Sequence, residues 1–356
     1  MFAPALPPLM SYPAPFPFPA SPRPEPGTVR WGILGCGDVT EVKSGPGFQK
    51  ARDSQLVAVM RRNGALAADY ARRHGVPRWY DDARALVADP EVDAVYVATP
   101  PGAHLEGVRL AAAAGKPCHV EKPMARHTPE CDAMLAACAA AGTRLFTAYY
   151  RRAMPRFIRA RELATGGAIG RLTGVTYRHA APLPAGNPWR IEAAHSGAGL
   201  FLDVGSHVLD FLDFCLGPLE SVSGHAANTS GKHAVEDQVA LTFRAAGGVT
   251  GACSWNFASH TREDTLTFFG TEGSLAFTFF TAEAIRMETA RGTELFEIAN
   301  PQHVAQPLIQ TVVDDLLGRG TCPSTGESGR RTTVAMEAVL ADYYGVRADA
   351  FWERPA

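Results

Sequence analysis

Short apolar runs alternate with helix-forming stretches through residues 29–149 of the chain. Apolar runs that end at glycine or polar positions predict buried strands, here at residues 29–34, 56–60, 94–99, 118–120 and 145–148. The stretches between them are rich in alanine, leucine and arginine and predict helices at residues 39–50, 65–74, 81–88, 104–114 and 129–141. Strands that alternate with helices in this way indicate an α/β fold with a doubly wound parallel sheet.

The pattern changes after Arg152. Helices are predicted at residues 155–165 and 201–216 with a strand at 171–179, and helical periodicity returns at 307–317 and 330–344. Between residues 219 and 298, β-branched and aromatic runs predict strands at 235–244, 249–257, 265–270, 275–280 and 284–289. Such a succession indicates an α+β domain with a large, mostly antiparallel open sheet. One face would pack on helices and the other would be free for a partner subunit.

These patterns divide the chain into four parts. Residues 1–26 form an extension with ten prolines, 27–150 the parallel-sheet domain, 151–325 the α+β domain, and 326–356 a C-terminal helix and tail that packs back on the first domain. Proline at this density prevents the helical core of a signal peptide, so we expect a disordered or polyproline-like extension. This extension has three interpretations: a proline-motif ligand, a passive tail, or a start codon assigned too early.

Composition and charge favour a soluble globular protein. Hydrophobic residues make up 46% and charged residues 20%, and the net charge of −2 gives no electrostatic reason to expect nucleic acid or an anionic membrane as partner. No uninterrupted run of about 18 apolar residues occurs, so no membrane span is expected. The seven cysteines are scattered and never spaced C-x-x-C, which argues against disulfides or zinc and for a reducing, cytoplasmic compartment.

A glycine turn follows the first predicted strand, in the order V-R-W-G-I-L-G-C-G-D-V-T. A strand, a glycine turn and a helix open a dinucleotide-binding Rossmann unit, because glycine lets backbone N–H groups approach a pyrophosphate at the helix N-terminus. Gly35, Gly37, Asp38 and Val39 are therefore candidate cofactor-binding residues. Thr40 stands where the usual pattern has a third glycine, and a glycine turn without any phosphate-binding role is the alternative.

Two arginines end the second predicted strand, at the position that decides between NAD and NADP. A site that prefers NAD normally places an acidic residue about 20 residues beyond the first glycine, where it holds the ribose 2′-hydroxyl. Arg61 and Arg62 stand there instead, and guanidinium groups suit a 2′-phosphate. NADP(H) is therefore favoured as cofactor over NAD(H). The alternative is that both arginines belong to a solvated strand end.

Two further motifs follow predicted strands, where ligands bind in such sheets. Thr99, Pro100 and His104 belong to one loop and should face the cofactor, although His104 alone would more often be a packing histidine. Glu121 and Lys122 end the next strand within E-K-P. A lysine ammonium beside a nicotinamide could act as acid or electrostatic partner, because burial and neighbouring charges shift its pKa readily. A surface lysine paired with Glu121 is the alternative.

Four motifs occur in an order and at spacings that resemble a known family. They are G-x-G at Gly35, T-P-P-x-x-H from Thr99, E-K-P from Glu121 and D-V-G-S-H from Asp203. Residues 29–344 are similar to the glucose–fructose oxidoreductase, inositol dehydrogenase and rhizopine-catabolism (Gfo/Idh/MocA) family of nicotinamide-dependent oxidoreductases. The combination is much more specific than any one of these motifs.

The resemblance implies a catalytic set of Lys122, Asp203 and His207. His207 would exchange a proton with a substrate hydroxyl during hydride transfer, and Lys122 would hydrogen-bond the same oxygen. If the segment after residue 202 is helical, Asp203 and His207 share a face, so the carboxylate can orient the imidazole. In some relatives the lysine transfers the proton, and the sequence leaves that choice open. The alternative is that Asp203 caps the start of a helix and His207 is a packing histidine.

The resemblance also points to residues beside the catalytic set. Trp189 and Arg190 match a W-R step that reaches toward cofactor or substrate in the family. Tyr150 and Arg151 are candidate substrate residues. Tyr150 replaces an asparagine found in many relatives, and Pro101 likewise replaces an asparagine after T-P. Both departures bear on the identity of the substrate more than on the fold.

The function that the resemblance implies is an NADP(H)-dependent oxidoreductase acting on a carbonyl or secondary alcohol of a sugar, polyol or related small molecule. The 1,5-anhydrofructose reductase and dihydrodiol dehydrogenase branches are the nearest in kind. A redox-assisted glycosidase with tightly bound NAD and a non-catalytic nucleotide-sensing protein are the alternatives; the latter would be expected to lose the lysine or the histidine. We expect no metal, and a homo-oligomer formed through the second sheet.

Overall fold

The computed structural model describes residues 27–183 and 188–345, except for the side chains of Pro188 and Trp189. The predictions for the extension at 1–26, for the tail beyond residue 345 and for the Trp189 side chain lie outside the described residues.

The first sheet consists of six short strands. They are β1 (Val29–Leu34), β2 (Ser54–Met60), β3 (Arg78–Tyr80), β4 (Ala94–Val97), β5 (Cys118–Val120) and β6 (Leu145–Thr147). All neighbours pair in parallel, in the order β3-β2-β1-β4-β5-β6, which confirms the predicted doubly wound sheet. The strand order reverses between β1 and β4, so the crevice where such sheets bind ligands lies at the carboxyl ends of these two strands.

Helices connect the strands of this sheet. They are α1 (Asp38–Val42), α2 (Gly45–Lys50), α3 (Gly64–His74), α4 (Ala83–Ala88), α5 (His104–Ala113) and α6 (Thr128–Ala141). Two separate clusters of buried apolar side chains form the core, one containing Trp31, Phe48 and Tyr96 and the other containing Leu86 and Val108. Strands that are buried on both faces explain the continuous apolar runs in the sequence.

Two elements of the first domain differ from the predictions. β3 is absent from the predicted strands, because it is only three residues long and starts with a charged residue, so its pairing with β2 decides its structure. The helix predicted at 39–50 is two helices, since Pro46 lacks the N–H donor that a continuous helix needs. A Cβ at Gly45 would overlap the carbonyl oxygen of Thr40, so the turn between α1 and α2 requires glycine.

The second half of the chain forms an α+β domain. Its helices are α7 (Pro155–Thr165), α8 (Ala193–Ser196), α9 (Ser206–Leu216), α10 (Gln306–Leu316) and α11 (Gly326–Tyr344). Its strands are β7 (Leu172–Ala180), β8 (Leu219–Ala227), β9 (Gln238–Ala245), β10 (Thr250–Asn256), β11 (Glu263–Gly270), β12 (Gly273–Phe277), β13 (Ile285–Thr289) and β14 (Gly292–Phe296). They form one sheet in the order β14-β13-β12-β11-β7-β10-β9-β8.

This second sheet confirms the predicted large and mostly antiparallel sheet. All neighbouring strands run antiparallel except β7 and β10, which are parallel. β8 and β14 are absent from the predicted strands. Most residues of both strands are exposed or half-buried, so their sequences lack the apolar alternation that marks a strand with one buried face.

The two faces of the second sheet differ in burial. One face packs on helices around Phe157, Phe211, Trp255 and Phe268, which belong to the largest apolar cluster. Along β9, buried positions alternate with exposed ones, as expected for a sheet covered on one side. On the opposite face Phe269 is 42% exposed, so this face presents apolar surface to its surroundings.

The last two helices connect both halves of the molecule. Leu308 and Val312 of α10 lie in the same apolar cluster as Trp31 of β1. At the start of α6 the Thr128 amide donates to Glu337 Oε2 of α11 at 2.9 Å. The C-terminal part of the described chain therefore packs against the parallel-sheet domain.

Three further properties concern the described residues as a whole. Within them, none of the helices combines the length and apolar character needed to cross a membrane. The seven cysteines are all buried and form no disulfide. Across residues 27–183 and 188–345, no group of three or more His, Cys, Asp or Glu side chains is placed to hold a metal ion.

Candidate active site

The glycine turn lies at the switch point and has the shape that a pyrophosphate needs. Gly35 has φ +90°, and a Cβ there would lie 2.8 Å from Thr99 Cγ2 and 3.0 Å from the Thr99 amide nitrogen. Only glycine combines this φ with so close an approach of β4's loop. A Cβ at Gly37 would meet nothing nearer than the Gly35 carbonyl oxygen at 4.0 Å. The space beside Gly37 is therefore open, and the turn fits a dinucleotide.

Thr40 replaces the usual third glycine by tying the turn together with its hydroxyl. Its Oγ1 donates to the Gly37 carbonyl oxygen at 2.7 Å and accepts from the Gly37 amide at 3.0 Å. The Thr40 carbonyl oxygen accepts a hydrogen bond from the Tyr70 hydroxyl at 2.8 Å. Asp38 and Val39 begin the five-residue helix α1 directly beside this turn, with Asp38 exposed. The departure from the usual glycine pattern is therefore accommodated by side-chain hydrogen bonds.

Arg61 and Arg62 follow β2 at the same edge of the sheet. The Gly35 and Cys36 amides both donate to the Met60 carbonyl oxygen, at 2.9 and 3.0 Å, so the arginines adjoin the glycine turn. Both side chains are exposed, and neither guanidinium has a hydrogen-bond or ion-pair partner among the described residues. Burial raises the pKa of the Cys36 thiol to about 11, and the Arg61 charge opposes that rise. Two unpaired cations thus lie beside the turn.

His104 lies inside the protein and connects two loops of the site. Its Nε2 is 2.7 Å from the Thr99 carbonyl oxygen and its Nδ1 is 3.1 Å from the Met124 carbonyl oxygen. The ring is fully buried, and burial lowers its pKa. Thr99 Oγ1 is buried without a hydrogen-bond partner among the described residues, and Pro100 precedes a short 3-10 turn. His104 therefore holds the predicted cofactor loop in place rather than projecting from it.

Lys122 projects from the end of β5 toward the second domain. The Glu121 carboxylate accepts from the Tyr96 hydroxyl and, at 3.0 Å, from the Lys122 amide, so it anchors the backbone. The Lys122 ammonium donates instead to the Asp203 carboxylate and to the Asp203 carbonyl oxygen, the latter at 3.1 Å. Its side chain is 14% exposed. The surface pairing of Lys122 with the Glu121 carboxylate is therefore not what the structure shows.

Asp203 lies in a π-helical turn, Phe201–Gly205, that runs into α9. Burial raises the pKa of Asp203, but the charges of Lys122 and Arg190 outweigh burial and hold the pKa below its usual value. The Arg190 Nε is 3.5 Å from Asp203 Oδ2. The predicted contact between Asp203 and His207 is wrong: no hydrogen bond joins them among the described residues. The wider π turn shifts the i, i+4 alignment, and the opposite charges attract the carboxylate away.

His207 is a buried, neutral imidazole on α9. It is 6% exposed, and its Nδ1 has no hydrogen-bond partner among the described residues. Its ring lies edge-on to Tyr150, with centroids 5.2 Å apart, and to Phe280, at 6.2 Å. Burial, followed by the charges of Arg151 and Lys122, holds its pKa well below the usual value. The ring is therefore unprotonated near neutral pH and able to accept a proton.

Tyr150 and Arg151 form a short 3-10 turn after β6. Arg151 Nη1 donates to the Tyr150 hydroxyl at 3.0 Å. The guanidinium also lies over the rings of Phe279 and Phe280, at 4.8 and 4.7 Å from their centroids. Both predicted substrate residues are thus next to His207.

Two residues of the site are absent from the predicted set. Lys43, at the end of α1, contributes a charge that lowers the pKa of both Asp203 and His207. Phe280 packs on both His207 and Arg151. Neither belongs to a motif: the meeting of the two domains gives Lys43 its role, and packing within the second domain gives Phe280 its role. The aromatic run F-T-F-F that ends at Phe280 is the one sequence signal for it.

Comparisons with known proteins agree with this geometry. Two family models match: "Oxidoreductase family, NAD-binding Rossmann fold" at residues 29–149 and "GFO/IDH/MocA C-terminal domain" at residues 157–276. Oxidoreductase P35 of Formosa agariphila is 33% identical over 87% of this chain and 97% of its own length. The 1,5-anhydro-D-fructose reductase of Ensifer adhaerens is 30% identical over 84% of this chain and 92% of its own.

A solved structure shares the fold. Levoglucosan dehydrogenase in complex with NADH matches with a TM-score of 0.80 at 23% identity, over 88% of this chain and 96% of the other. The doubly wound sheet, the glycine turn and these matches together define an NAD(P)-dependent oxidoreductase acting on alcohol groups. The chain belongs to the Gfo/Idh/MocA family of oxidoreductases, which confirms the resemblance found in its motifs.

Proposed function

We propose that the protein transfers hydride between NADP(H) and a carbonyl or secondary alcohol of a sugar or polyol. The observation that carries the proposal is the pairing of Lys122 at the end of β5 with Asp203, one helical turn before the neutral His207. This set lies at the carboxyl edge of the parallel sheet, where the glycine turn faces open space.

The neutral His207 and the cationic Lys122 have different roles in this reaction. His207 accepts the proton of the substrate hydroxyl in the oxidation direction, because burial keeps its imidazole neutral. Lys122, positioned by its ion pair with the Asp203 carboxylate, donates a hydrogen bond to the same oxygen and stabilises its developing charge. The bound nicotinamide supplies the hydride acceptor or donor. The ion pair of Lys122 favours His207 over Lys122 as the proton acceptor.

Several residues would hold the dinucleotide. Gly35, Gly37, Asp38 and Val39 would border the pyrophosphate, and Thr99, Pro100, Glu121 and Arg190 would line the nicotinamide end, with His104 as their support. Arg61 and Arg62 would bind the 2′-phosphate, since both are exposed cations beside the turn without protein partners among the described residues. The cofactor proposed is therefore NADP(H) rather than NAD(H).

Sugar chemistry is proposed for the substrate on the names of relatives. The Ensifer adhaerens protein is a 1,5-anhydro-D-fructose reductase, and it aligns with 84% of this chain. Tyr150 and Arg151 adjoin His207 and would contact the part of the substrate next to the reacting carbon.

A titration of the purified protein with NADPH and NADH, followed by nicotinamide fluorescence, tests the cofactor proposal. We expect tighter binding of NADPH, and Arg61→Ala and Arg62→Ala should each weaken it by about 5- to 30-fold, the loss of one charged hydrogen bond. Arg72→Ala, which removes an exposed arginine of α3, is the matched control and should change neither affinity. Equal losses in all three variants would contradict the role of the pair, and binding of neither nucleotide would refute the function.

The open face of the second sheet is proposed as a contact between two copies of the chain. Its alternating exposed positions include Phe269, 42% exposed, and apolar surface of this kind usually finds a cover. Light scattering should show an oligomer that Phe269→Glu weakens. A monomeric wild-type protein would refute the proposal.

A further inference from the structure

Arg151 is a buried cation without an anionic partner among the described residues. The residue is 7% exposed. Of its three guanidinium nitrogens only Nη1 has a hydrogen bond, to the Tyr150 hydroxyl at 3.0 Å. Nε is buried with no partner, and Nη2 likewise has no hydrogen bond within the described part of the chain. A buried charged donor left without an acceptor is costly, so Nε calls for a ligand, and Nη2 offers a second donor on the same edge.

The carboxylates of this region are committed elsewhere. Asp203 binds Lys122 and faces Arg190. Asp264 accepts from the Tyr177 hydroxyl at 3.0 Å and from the Phe280 amide at 2.6 Å. Neither forms an ion pair with Arg151, whose guanidinium is instead surrounded by aromatic rings. The protein thus supplies rings to position the cation but no charge to neutralise it.

The cation lies beside the proposed proton acceptor. Tyr150 and Phe280 contact both the Arg151 guanidinium and the His207 ring. A group bound to Arg151 would therefore belong to the same molecule as a hydroxyl bound to His207. Lys43 adds a further positive charge that reaches His207, so the surroundings of this position favour an anion.

We propose that the substrate is a sugar acid whose carboxylate binds the Nε–Nη2 edge of Arg151, with the reacting hydroxyl at His207. This inference rests on the proposed function. The edge presents two donors in one plane, which matches the two oxygens of a carboxylate. A phosphate monoester, with a charge of about −1.5 to −2, can also bind a guanidinium edge, so the test includes one.

The test compares acids with their neutral counterparts. The probes are D-glucuronate with D-glucose, D-galacturonate with D-galactose, and D-glucose 6-phosphate as the phosphate arm. Calorimetry measures their affinities for the protein with and without NADP(H), and kcat/KM is measured for any probe that is oxidised. For at least one pair we expect the acid to be preferred by about 10- to 100-fold, the worth of a charged hydrogen bond.

Three variants assign that preference to Arg151. In Arg151→Gln the ratio of acid to neutral affinity should fall to within about threefold of unity, with the larger loss of affinity on the acid. Arg151→Lys keeps the charge without the planar pair of donors and should retain only part of the preference. Arg159→Gln, which removes an exposed arginine of α7, is the control and should leave it unchanged. Melting temperatures show whether each variant is folded.

The inference fails if no acid is preferred over its neutral partner, if the phosphate ester is preferred, or if Arg151→Gln weakens acid and neutral sugar equally. The last result would mean a structural role for the guanidinium. Failure of the proposed function has a different signature, because it appears as lack of NADPH and NADH binding, whereas the acid preference is measured without cofactor as well.

Discussion

The glycine turn after β1 and the wall formed by Arg151, His207 and Phe280 come from different parts of the chain. The turn is a single stretch, Gly35 to Thr40, in which backbone groups and one hydroxyl do the work. The wall assembles Arg151, His207 and Phe280 from three separate segments of the second domain. The glycine turn therefore depends on backbone conformation, whereas the wall depends on charge and side-chain packing.

This difference matters for what each side can recognise. A backbone turn with open space beside Gly37 suits any dinucleotide, because every pyrophosphate presents the same oxygens. The wall instead presents a neutral imidazole and a buried guanidinium, which would respond to the hydroxyl and the charge of a substrate. Substitutions on the turn should therefore affect cofactor binding and stability, and those on the wall should affect turnover and substrate choice.

The largest effect is expected for Lys122→Ala. Loss of the ammonium removes the hydrogen bond to the reacting oxygen, so turnover should fall about 10²- to 10³-fold or more, with nucleotide affinity unchanged within a few-fold. Steady-state kinetics and nicotinamide fluorescence measure the two quantities separately. Lys232→Ala, in an exposed loop, is the control. If the variant lost nucleotide binding together with turnover, Lys122 would be a cofactor-binding residue, like the glycine turn, and not a catalytic one.

The next effect compares two buried histidines. His119 of β5 packs among Trp31, Phe48 and Tyr96, and neither ring nitrogen has a partner among the described residues. Burial lowers its pKa to about 3. The unfolded chain binds a proton below about pH 6.5 and the folded ring does not, so stability falls as pH drops from about 6.5 toward 3.

His119→Leu should remove that share of the acid sensitivity, about 1.4 kcal/mol per pH unit in this window, and be neutral or stabilising at pH 7. Urea unfolding between pH 7 and 4 measures it, with the exposed His225→Leu as control. His207→Leu should flatten the same limb, because burial lowers its pKa as well, but it should also abolish turnover. If His119→Leu also abolished turnover, His119 would not be a purely structural histidine, and its contrast with the catalytic His207 would fail.

The smallest effect is expected for Gly35→Ala. Alanine at φ +90° is strained, and its Cβ would crowd Thr99 at 2.8 Å, so unfolding free energy should fall by about 1–3 kcal/mol and dinucleotide affinity should fall with it. Gly75→Ala is the matched control, since Gly75 has φ +65° and no atom near its Cβ position. Gly75→Ala should lower the unfolding free energy through backbone strain alone and leave dinucleotide affinity unchanged. If the two variants lost dinucleotide affinity equally, the close approach of Gly35 to Thr99 would not be the cause of the loss.

Local pattern and composition determined much of this molecule. The apolar run 29–34 coincides with β1, and Gly75 and Gly142 end helices in the left-handed conformation that glycine favours. The order of the four motifs by itself indicates the family. These features are determined locally, because strand burial, turn conformation and motif spacing depend on residues close together in the chain.

Tertiary structure alone decided the rest. β3, β8 and β14 have sequences too short or too polar to predict, and neighbouring strands provide their pairing. Spacing suggested that Asp203 would orient His207, whereas the structure gives the carboxylate to Lys122. The charge of Lys122 lies 81 residues away in sequence, and no local rule includes it. Partners of buried charges are chosen by proximity in space, which the folded chain establishes and the linear sequence does not display.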